Sequence, residues 1–482
     1  MKTKIITTLL AVLLFATGCK DFLEETPESI LSPDILPKSE KDADMMLLGT
    51  QRYLANMYDR PLFFLTEIST DHDSIHNESM DWLSIANYTY TNESVTISDA
   101  WANLYSMVNS ANVMIDKLPG SSIAPAVQTQ YIQAAKFLRA LGYFHLVRLF
   151  GEIPLIDKPV ENFNEAIKMP KSSIPDVYNL ILSDLAEAEK LPAKWDPVGR
   201  PTGGAAKALL AKVYITMAGF PLKDQTKWAL AATKAKEVID GYGYSLLPVV
   251  SDLWLIKNKN SSEHIFSVQN NAGDASRSML SVQARPREGL GSESGWGTYY
   301  TTKRTMALFD DADARKAASF LTEVTLPTGK ITYKDAGWWK NTPHMKKYYD
   351  SNRSNFLERN RRTDMNFPIF RLAEMYLIHA EATNEVSGPA NAYASVNKLR
   401  ERAYGNATHN LAGLTKDQFR EAIKKEWTYE TIHEGKRRYN LIRWEEFEKA
   451  MKANPLSAPS FSIEKHLYYP VPYRESNINP NL

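Results

Sequence analysis

The chain has 482 residues, with 57 Lys and Arg against 56 Asp and Glu, and a formal net charge of +1 at pH 7. This balance excludes the clustered basic excess of a nucleic-acid-binding protein and argues against electrostatic docking on a membrane. The apolar share of 44% is typical of a globular protein with an ample core.

The N-terminus has the features of an export signal. A short basic segment precedes an apolar run over residues 5–15, and small residues lead to Cys19, the single cysteine. The run is too short to span a bilayer, which takes roughly 20 apolar residues. Because the site resembles a lipobox, we expect residues 1–18 to be removed and Cys19 to carry acyl chains, with residues 19–40 as a tether. The alternative is a plain secretory signal with an incidental cysteine.

Helical periodicity dominates after the tether. Apolar residues recur at spacings of three and four from Tyr131 to Leu149, which predicts a long helix that ends near Gly151. Two further stretches each predict a pair of helices with small residues on the inner face: Ala205–Met217 with Trp228–Ile239, and Phe370–Thr383 with Ala390–Ala403. The pairs resemble tetratricopeptide repeats, and generic helix packing explains the pattern equally well.

Two stretches of different composition interrupt the helices. Residues 67–98 and residues 245–365 are polar and aromatic, and the second contains the β-like runs His264–Val268 and Ile331–Tyr333 and the Gly-rich Gly289–Gly297. These stretches predict loops and small sheet elements on a helical scaffold, where binding residues commonly lie. We therefore predict a mostly α fold with a loop-rich, small-β ligand-binding region.

Several short blocks of sequence stand out along the chain, each occurring once. They are Phe137–Ala140, Arg148–Leu155, Gly199–Thr202, Arg371–Leu377, Ala380–Ala382, Asn397–Ala403, Glu434–Trp444, Tyr469–Pro472 and Asn479–Leu482. In this order, behind a lipobox, they resemble the SusD/RagB family of outer-membrane nutrient-binding lipoproteins, named after a starch-utilisation system.

The resemblance implies a fold and a function. It implies one SusD-like domain over residues 41–482, with four tetratricopeptide-like helix pairs beneath a loop-rich ligand surface. It implies a lipoprotein on the outer face of the outer membrane, anchored by acylated Cys19. The protein would capture a nutrient, usually an oligosaccharide, and deliver it to a SusC-like TonB-dependent transporter, without catalysis and without a cofactor.

The matching blocks also contain a charged cluster. Glu434, Arg437, Arg438 and Arg443 fall within one short helical stretch. We interpret them as scaffold residues that form ion pairs and hydrogen bonds between helices, rather than as ligand contacts.

A glycan site needs flat aromatic faces with polar groups at their edges. The two loop-like stretches supply both, and we predict ligand contacts from Asp73, Asn77, Trp82, Tyr88, Trp296, Tyr299, Tyr300, Trp338 and Trp339. Trp296 is favoured because glycines on either side would leave its ring uncrowded. Trp101, by contrast, lies on a periodic helix and is predicted to be in the core.

Other chemistries have weaker support. His72 and His76 have helical spacing, but no further histidine or cysteine lies nearby, so no metal site is predicted. HExxH, phosphate-loop and GxSxG motifs are absent from the sequence.

Three alternative functions remain open. The first is peptide capture, as in some relatives, for which the loop residues Arg285, Arg287, Arg353 and Arg359 would favour carboxylate groups. The second is a surface glycoside hydrolase, which the missing catalytic motif disfavours. The third is a helical-repeat adaptor, which would more commonly carry its aromatic residues along the repeat face.

Overall fold

Helices form most of the molecule. The computed structural model describes residues 37–76, 79–160, 163–271, 278–290, 294–326, 329–334, 341–349 and 362–482. Cys19, the predicted signal and the tether up to residue 36 lie outside these residues. The longer helices are α1 (Glu40–Asp59), α2 (Met80–Asn87), α3 (Val95–Lys117), α4 (Pro125–Phe150), α5 (Ile174–Ala188), α6 (Gly203–Ala218), α7 (Lys227–Gly241), α8 (Leu372–Ser387), α9 (Tyr393–Tyr404), α10 (Lys416–Thr431), α11 (Arg437–Arg443) and α12 (Phe447–Ala453).

Short elements connect these helices. A π-helix spans Phe64–Ile68, and other short helical segments include Pro61–Phe63, Leu280–Ala284, Lys303–Met306, Ala314–Ser319, Ile463–His466 and Tyr473–Ile478. The strands are β1 (Asp73–Ile75), β2 (His264–Val268), β3 (Tyr299–Thr301), β4 (Phe320–Leu321), β5 (Glu323–Leu326), β6 (Gly329–Thr332), β7 (His344–Met345) and β8 (Phe367–Arg371).

The long helices pack as a row of pairs. Helix α1 packs on α3, α4 on α5, α6 on α7 and α8 on α9, while contacts of α3 with α4, α5 with α6 and α7 with α8 join the pairs. This arrangement confirms the predicted mostly α fold with tetratricopeptide-like helix pairs. Within the described residues, no helix is both long and apolar enough to cross a bilayer.

Helix α4 runs through the middle of the core. It is the long helix predicted from periodicity, begins with Pro125 and ends at Phe150 with Gly151 as its C-cap. Proline suits the first position because its missing N–H would be unbonded there in any case. Almost every side chain in its second half is buried, as expected for a helix that is apolar on all sides. Trp101 on α3 packs edge-on against Phe150 and is 3% exposed, so its predicted core position is confirmed.

Small antiparallel sheets lie between the helices. In the described part of the chain, β1 pairs with β3, β2 with β8, β4 with β7 and β5 with β6. The predicted β-like run His264–Val268 is strand β2. Its partner β8 contains Phe370, which the periodicity assigned to a helix; helix α8 instead begins at Leu372. Pairing with a distant strand overrides a local helical pattern here. The following helix begins at Tyr393 rather than Ala390, after a separate 3-10 turn over Pro389–Asn391.

Residues 67–98 contain more regular secondary structure than the predicted loop. They contain β1, helix α2 and the first turn of α3. The polar side chains in this stretch serve as caps: Ser94 accepts a hydrogen bond from the Ile97 amide, and Asp81 accepts from both the amide and the hydroxyl of Thr96. Polar composition therefore marks helix ends here rather than an exposed loop.

Buried ion pairs tie the C-terminal helices to the rest of the fold. Arg371 is 2% exposed, and its Nε donates to Glu434 Oε2 at 2.9 Å while its Nη1 donates to Glu430 Oε1 at 2.7 Å. Arg443 binds Glu381 of α8 with both terminal nitrogens. These contacts confirm the scaffold interpretation of the charged cluster around Glu434.

The two remaining arginines of that cluster also bind protein groups. Arg437 donates two hydrogen bonds to Asp71, at 2.9 and 2.8 Å. Arg438 donates from Nη2 to the backbone oxygen of His466 at 2.7 Å.

Candidate functional site

The β1–β3 sheet joins the two segments that carry Trp82 and Trp296. Asp73 lies opposite Thr301 and Ile75 opposite Tyr299, and the His76 amide continues the pairing by donating to the Thr298 oxygen at 2.8 Å. Beyond this last pair, one strand leads forward to α2 with Trp82, and the other leads back to Trp296. The pairing therefore brings the segments that lead to the two tryptophans to the same end of the sheet, and α2 packs against β1 and the π-helix.

Trp82 lies flat on the π-helix that follows α1. Its ring is stacked on Phe64 with 4.7 Å between the centroids and 18° between the planes. Phe64 is fully buried, whereas Trp82 is only partly buried. The stacking holds the indole at the edge of the core, with part of its surface accessible to a ligand.

Trp296 is also partly buried. Its ring packs against Met279 and Val282, and its amide donates to the Val282 oxygen at 2.7 Å. The guanidinium carbon of Arg60 lies 6.0 Å from the ring centroid, which is within the range of a cation–π contact. The indole is thus fixed on its apolar side and bordered by a cation.

The glycines beside Trp296 have a different function from the one predicted. A Cβ on Gly295 would overlap the carbonyl oxygen of Val282, and Gly297 has a φ of +60°, close to the backbone of Arg287. Glycine is therefore required because residues 294–298 pack tightly against residues 282–286, and not because the ring needs open space.

Four predicted ligand contacts are buried. Tyr88, Tyr299 and Asp73 are at most 2% exposed and Tyr300 is 6% exposed. These four side chains are not available to a ligand, so their prediction as contacts is corrected; they lie in polar or aromatic sequence but belong to the core.

Hydrogen bonds and electrostatics agree with the burial of three of these residues. The Tyr88 hydroxyl donates to the Ser69 oxygen at 2.5 Å, and Tyr299 donates to the Leu280 oxygen at 3.3 Å. Burial raises the pKa of Tyr299 well above its usual value. Asp73 Oδ1 lies 3.2 Å from His433 Nε2. These groups hold the strands and helices together from within.

Three further predictions lie outside the described residues. They are Asn77, Trp338 and Trp339. Among the described residues, the candidate site therefore retains Trp82 and Trp296, with Arg60 beside Trp296.

Comparison with known proteins places the chain in a family. Its residues 262–482 match the family model described as "SusD family", and residues 21–215 match one described as "Starch-binding associating with outer membrane". The chain belongs to the SusD family.

Relatives of this SusD-family chain align along nearly its whole length. A SusD-like protein, P25, of Formosa agariphila is 27% identical over 100% of this chain and 98% of its own. A crystal structure of a SusD homolog from Bacteroides thetaiotaomicron superposes with a TM-score of 0.80 at 24% identity, covering 93% of this chain and 97% of the other. A laminarin-binding SusD-like protein gives a TM-score of 0.78 at 25% identity, covering 92% and 98%.

Asp71 and His72, which precede β1, each lie beside a charged protein group. In this SusD-family member Asp71 accepts both of its hydrogen bonds from Arg437, and His72 is buried with its Nδ1 3.8 Å from Glu67 Oε1. Burial opposes ionisation of Asp71, but the charges of His72 and Arg437 lower its pKa below the usual value. No group of three His, Cys, Asp or Glu side chains in the described ranges has the arrangement of a metal site.

A groove lies on the helical scaffold, among helices that do not carry the two tryptophans. A groove of about 940 Å³ is bordered by α6, α7 and α8, and its lining includes Lys207, Glu237, Asp240 and Tyr242. Lys207 and Glu237 form an ion pair at 2.5 Å within it. Because its charged side chains bind each other and it is remote in sequence from the tryptophans, size alone does not make this groove the ligand site.

Arg60 and Phe64 of this SusD-family chain were not predicted from the sequence. Both lie before the stretch that was predicted to form the first loop. The signal available was Pro61, which follows Arg60 and predicts the end of α1 at this point. This helix end is followed by aromatic residues, which indicated that the candidate region could begin before residue 67.

Proposed function

We propose that this SusD-family protein binds a glycan at the cell surface and passes it on unchanged. The observation that carries the proposal is that Trp82 and Trp296 are both partly exposed and that the segments carrying them leave the same end of the β1–β3 sheet, with Arg60 beside Trp296. The C–H faces of sugar rings pack on aromatic rings, and guanidinium groups hydrogen-bond to sugar oxygens. Two fixed indoles and one cation form such a surface without rearrangement.

The relatives support a glycan as the ligand class. One similar structure is named as laminarin-binding, and one matching family model is described as starch-binding. These names describe binding rather than catalysis, in keeping with a capture protein that is not an enzyme.

The proposal includes the cellular arrangement predicted from the sequence. Residues 1–18 are removed, acyl chains on Cys19 anchor the protein to the outer membrane facing the exterior, and residues 19–40 form the tether. A SusC-like TonB-dependent transporter is the partner that receives the oligosaccharide. Moderate affinity suits this function, because the ligand has to leave the binding surface.

A binding screen tests the proposal. The mature protein is run on native gels containing laminarin, starch, xyloglucan or acidic polysaccharides, and hits are measured by calorimetry beside a peptide digest. We expect retardation by a glycan, and we expect Trp296→Ala and Trp82→Ala to weaken binding roughly 10- to 30-fold, as removal of a central aromatic contact does.

Trp228→Ala is the matched control. Trp228 is also partly buried, but it lies on α7 of the scaffold. Its loss is expected to leave glycan affinity unchanged. Binding of peptides without any glycan would contradict the proposal and favour peptide capture, and equal weakening by all three variants would contradict the position of the site.

A further inference from the structure

We infer that the glycan bound by this protein is anionic, carrying a uronate carboxylate or a sulfate ester, and that Arg60 receives this group beside Trp296. The inference rests on the proposed glycan-binding function and names the ligand class within it. It follows from the partners of Arg60, from the charges around it and from a contrast with the arginines of the scaffold.

Arg60 has hydrogen-bonding capacity that the protein does not use. Its side chain is 38% exposed, and its guanidinium donates no hydrogen bond to a described residue. The Nε atom is shielded from solvent and still has no acceptor. A guanidinium carries five N–H donors arranged to bind a planar carboxylate or a tetrahedral oxyanion in bidentate fashion. Arg60 therefore presents an unused oxyanion-binding group at the candidate site.

The neighbouring carboxylate does not satisfy Arg60. Asp59 Oδ2 lies 3.8 Å from Arg60 Nε, which is too long for a hydrogen bond, and Asp59 Oδ1 instead accepts the amide of Met279. That contact holds the segment on which Trp296 packs. Asp59 thus holds Met279, one of the residues on which Trp296 packs.

Two arginines act on the carboxyl group of Asp59. Burial raises the pKa of Asp59, while the Met279 amide and the charges of both Arg60 and Arg362 act in the opposite direction. One carboxylate therefore lies near two guanidinium groups. A glycan carboxylate or sulfate would add an anionic partner beside Arg60, whereas a neutral glycan would not.

Further arginines border Trp296 through its two glycines. Gly295 packs against the backbone of Arg285 and Gly297 against that of Arg287. Arg285 is buried with its guanidinium 4.1 Å from the Tyr349 ring centroid, and Arg287 is exposed. Hydrogen bonds from the Gly295 amide to the Pro286 oxygen and from the Gly297 amide to the Arg285 oxygen hold this arginine-containing segment beside Trp296.

Four buried arginines of the scaffold are paired with carboxylates. Arg139, Arg315, Arg371 and Arg443 each donate to at least one buried carboxylate. Arg60 differs from them in lacking such an acceptor while lying against a tryptophan. The difference is the one expected if the acceptor is supplied by the ligand.

The test compares charged and neutral oligosaccharides on the mature protein. The probes are a galacturonate tetrasaccharide, a sulfated galactan tetrasaccharide and neutral laminarin and xyloglucan oligosaccharides of similar length. We expect one or both anionic probes to bind at least tenfold more tightly than the neutral ones. Their affinity should fall as salt is raised from 50 to 500 mM, because salt screens the contribution of the charge. The two anionic probes distinguish a carboxylate from a sulfate source.

Three variants test whether Arg60 provides the preference for anionic glycans. Arg60→Gln keeps donors but removes the charge, and it should weaken anionic binding roughly 10- to 100-fold while changing neutral binding less than threefold. Arg60→Lys keeps the charge and should restore part of the affinity. Arg474→Gln removes an exposed arginine from the Tyr473–Ile478 segment and serves as the control, with no expected effect.

The outcomes separate this inference from the proposed function. Equal or tighter binding of a neutral glycan, unaffected by Arg60→Gln, would overturn the anionic class and leave glycan capture standing. Binding of acidic peptides but of no glycan would overturn both. Thermal melting of Arg60→Gln within 2 °C of the unchanged protein is expected, so that a loss of binding is not a loss of folding.

Discussion

The helical scaffold and the tryptophan-bearing end of the β1–β3 sheet use the same residue type in opposite ways. In the scaffold, Arg371 is 2% exposed and donates to Glu434, Glu430 and Glu263. At the other region, Arg60 is partly exposed and has no hydrogen-bonded acceptor among the described residues. The comparison teaches that the partner of a charged residue, rather than its identity, separates architecture from recognition.

The largest expected effect is on the scaffold side of this comparison. Arg371→Met removes the cation that several buried carboxylates share, and uncompensated buried charge costs about 3–5 kcal/mol. The free energy of unfolding, measured by urea titration, should fall by that amount. Lys236→Met is the control, because Lys236 pairs with Asp240 at the surface and such pairs contribute under ~1 kcal/mol. Similar losses in both variants would contradict the structural function of the buried network.

A second prediction concerns acid stability of the scaffold. Burial opposes ionisation of Glu374, but the charges of Lys212 and Lys436 outweigh it and lower the pKa of this carboxyl to about 2. A carboxyl whose pKa is lower in the folded state stabilises the protein above its unfolded pKa of about 4.5, and this stabilisation is lost as the pH falls toward 2. Its magnitude is about 3 kcal/mol at most.

The measurement is the urea midpoint at pH 6, 5, 4 and 3. Glu374→Gln should be less stable at pH 6 and should lose less stability on acidification than the unchanged protein. Glu445→Gln is the control, since Glu445 is an exposed partner of Lys223. Parallel pH profiles for all three proteins would contradict the assignment.

The smallest stability effect is expected at the ligand side. Trp296→Ala removes a half-buried ring that packs on Met279 and Val282, and we expect a loss of about 1–2 kcal/mol. The same change should abolish most glycan binding. The free energy of unfolding and the glycan affinity should be measured on one preparation. A ligand contact is expected to lose much affinity and little stability, whereas a core residue would lose much stability. A loss above about 4 kcal/mol would show that Trp296 is a core residue.

Much of the fold could be predicted from local sequence. Helices α4, α6 and α7 follow from apolar spacing and from signals at their ends such as Pro125 and Gly151. The start of α8 could not be predicted in this way, because Phe370 is held in β8 by pairing with β2, more than 100 residues away in the chain. Periodicity reports the local preference and does not include such a partner.

The site was predicted only in part. Trp82 and Trp296 are partly exposed, but Tyr88 and Tyr299 belong to the core despite polar neighbours in sequence. Those neighbours cap helices or pair strands, so they do not indicate exposure. Arg60 could not be selected from sequence, because its distinguishing property is the missing acceptor, which is a feature of the fold.

Hydrogen exchange with and without the oligosaccharide that binds most tightly tests the central claim most directly. The account predicts slower exchange in peptides covering residues 58–64, 80–88 and 279–301, with no change in the scaffold helices α6, α7 and α8. Protection confined to residues 189–193 and 232–242, which line the groove of about 940 Å³, would contradict it and place the ligand on the scaffold.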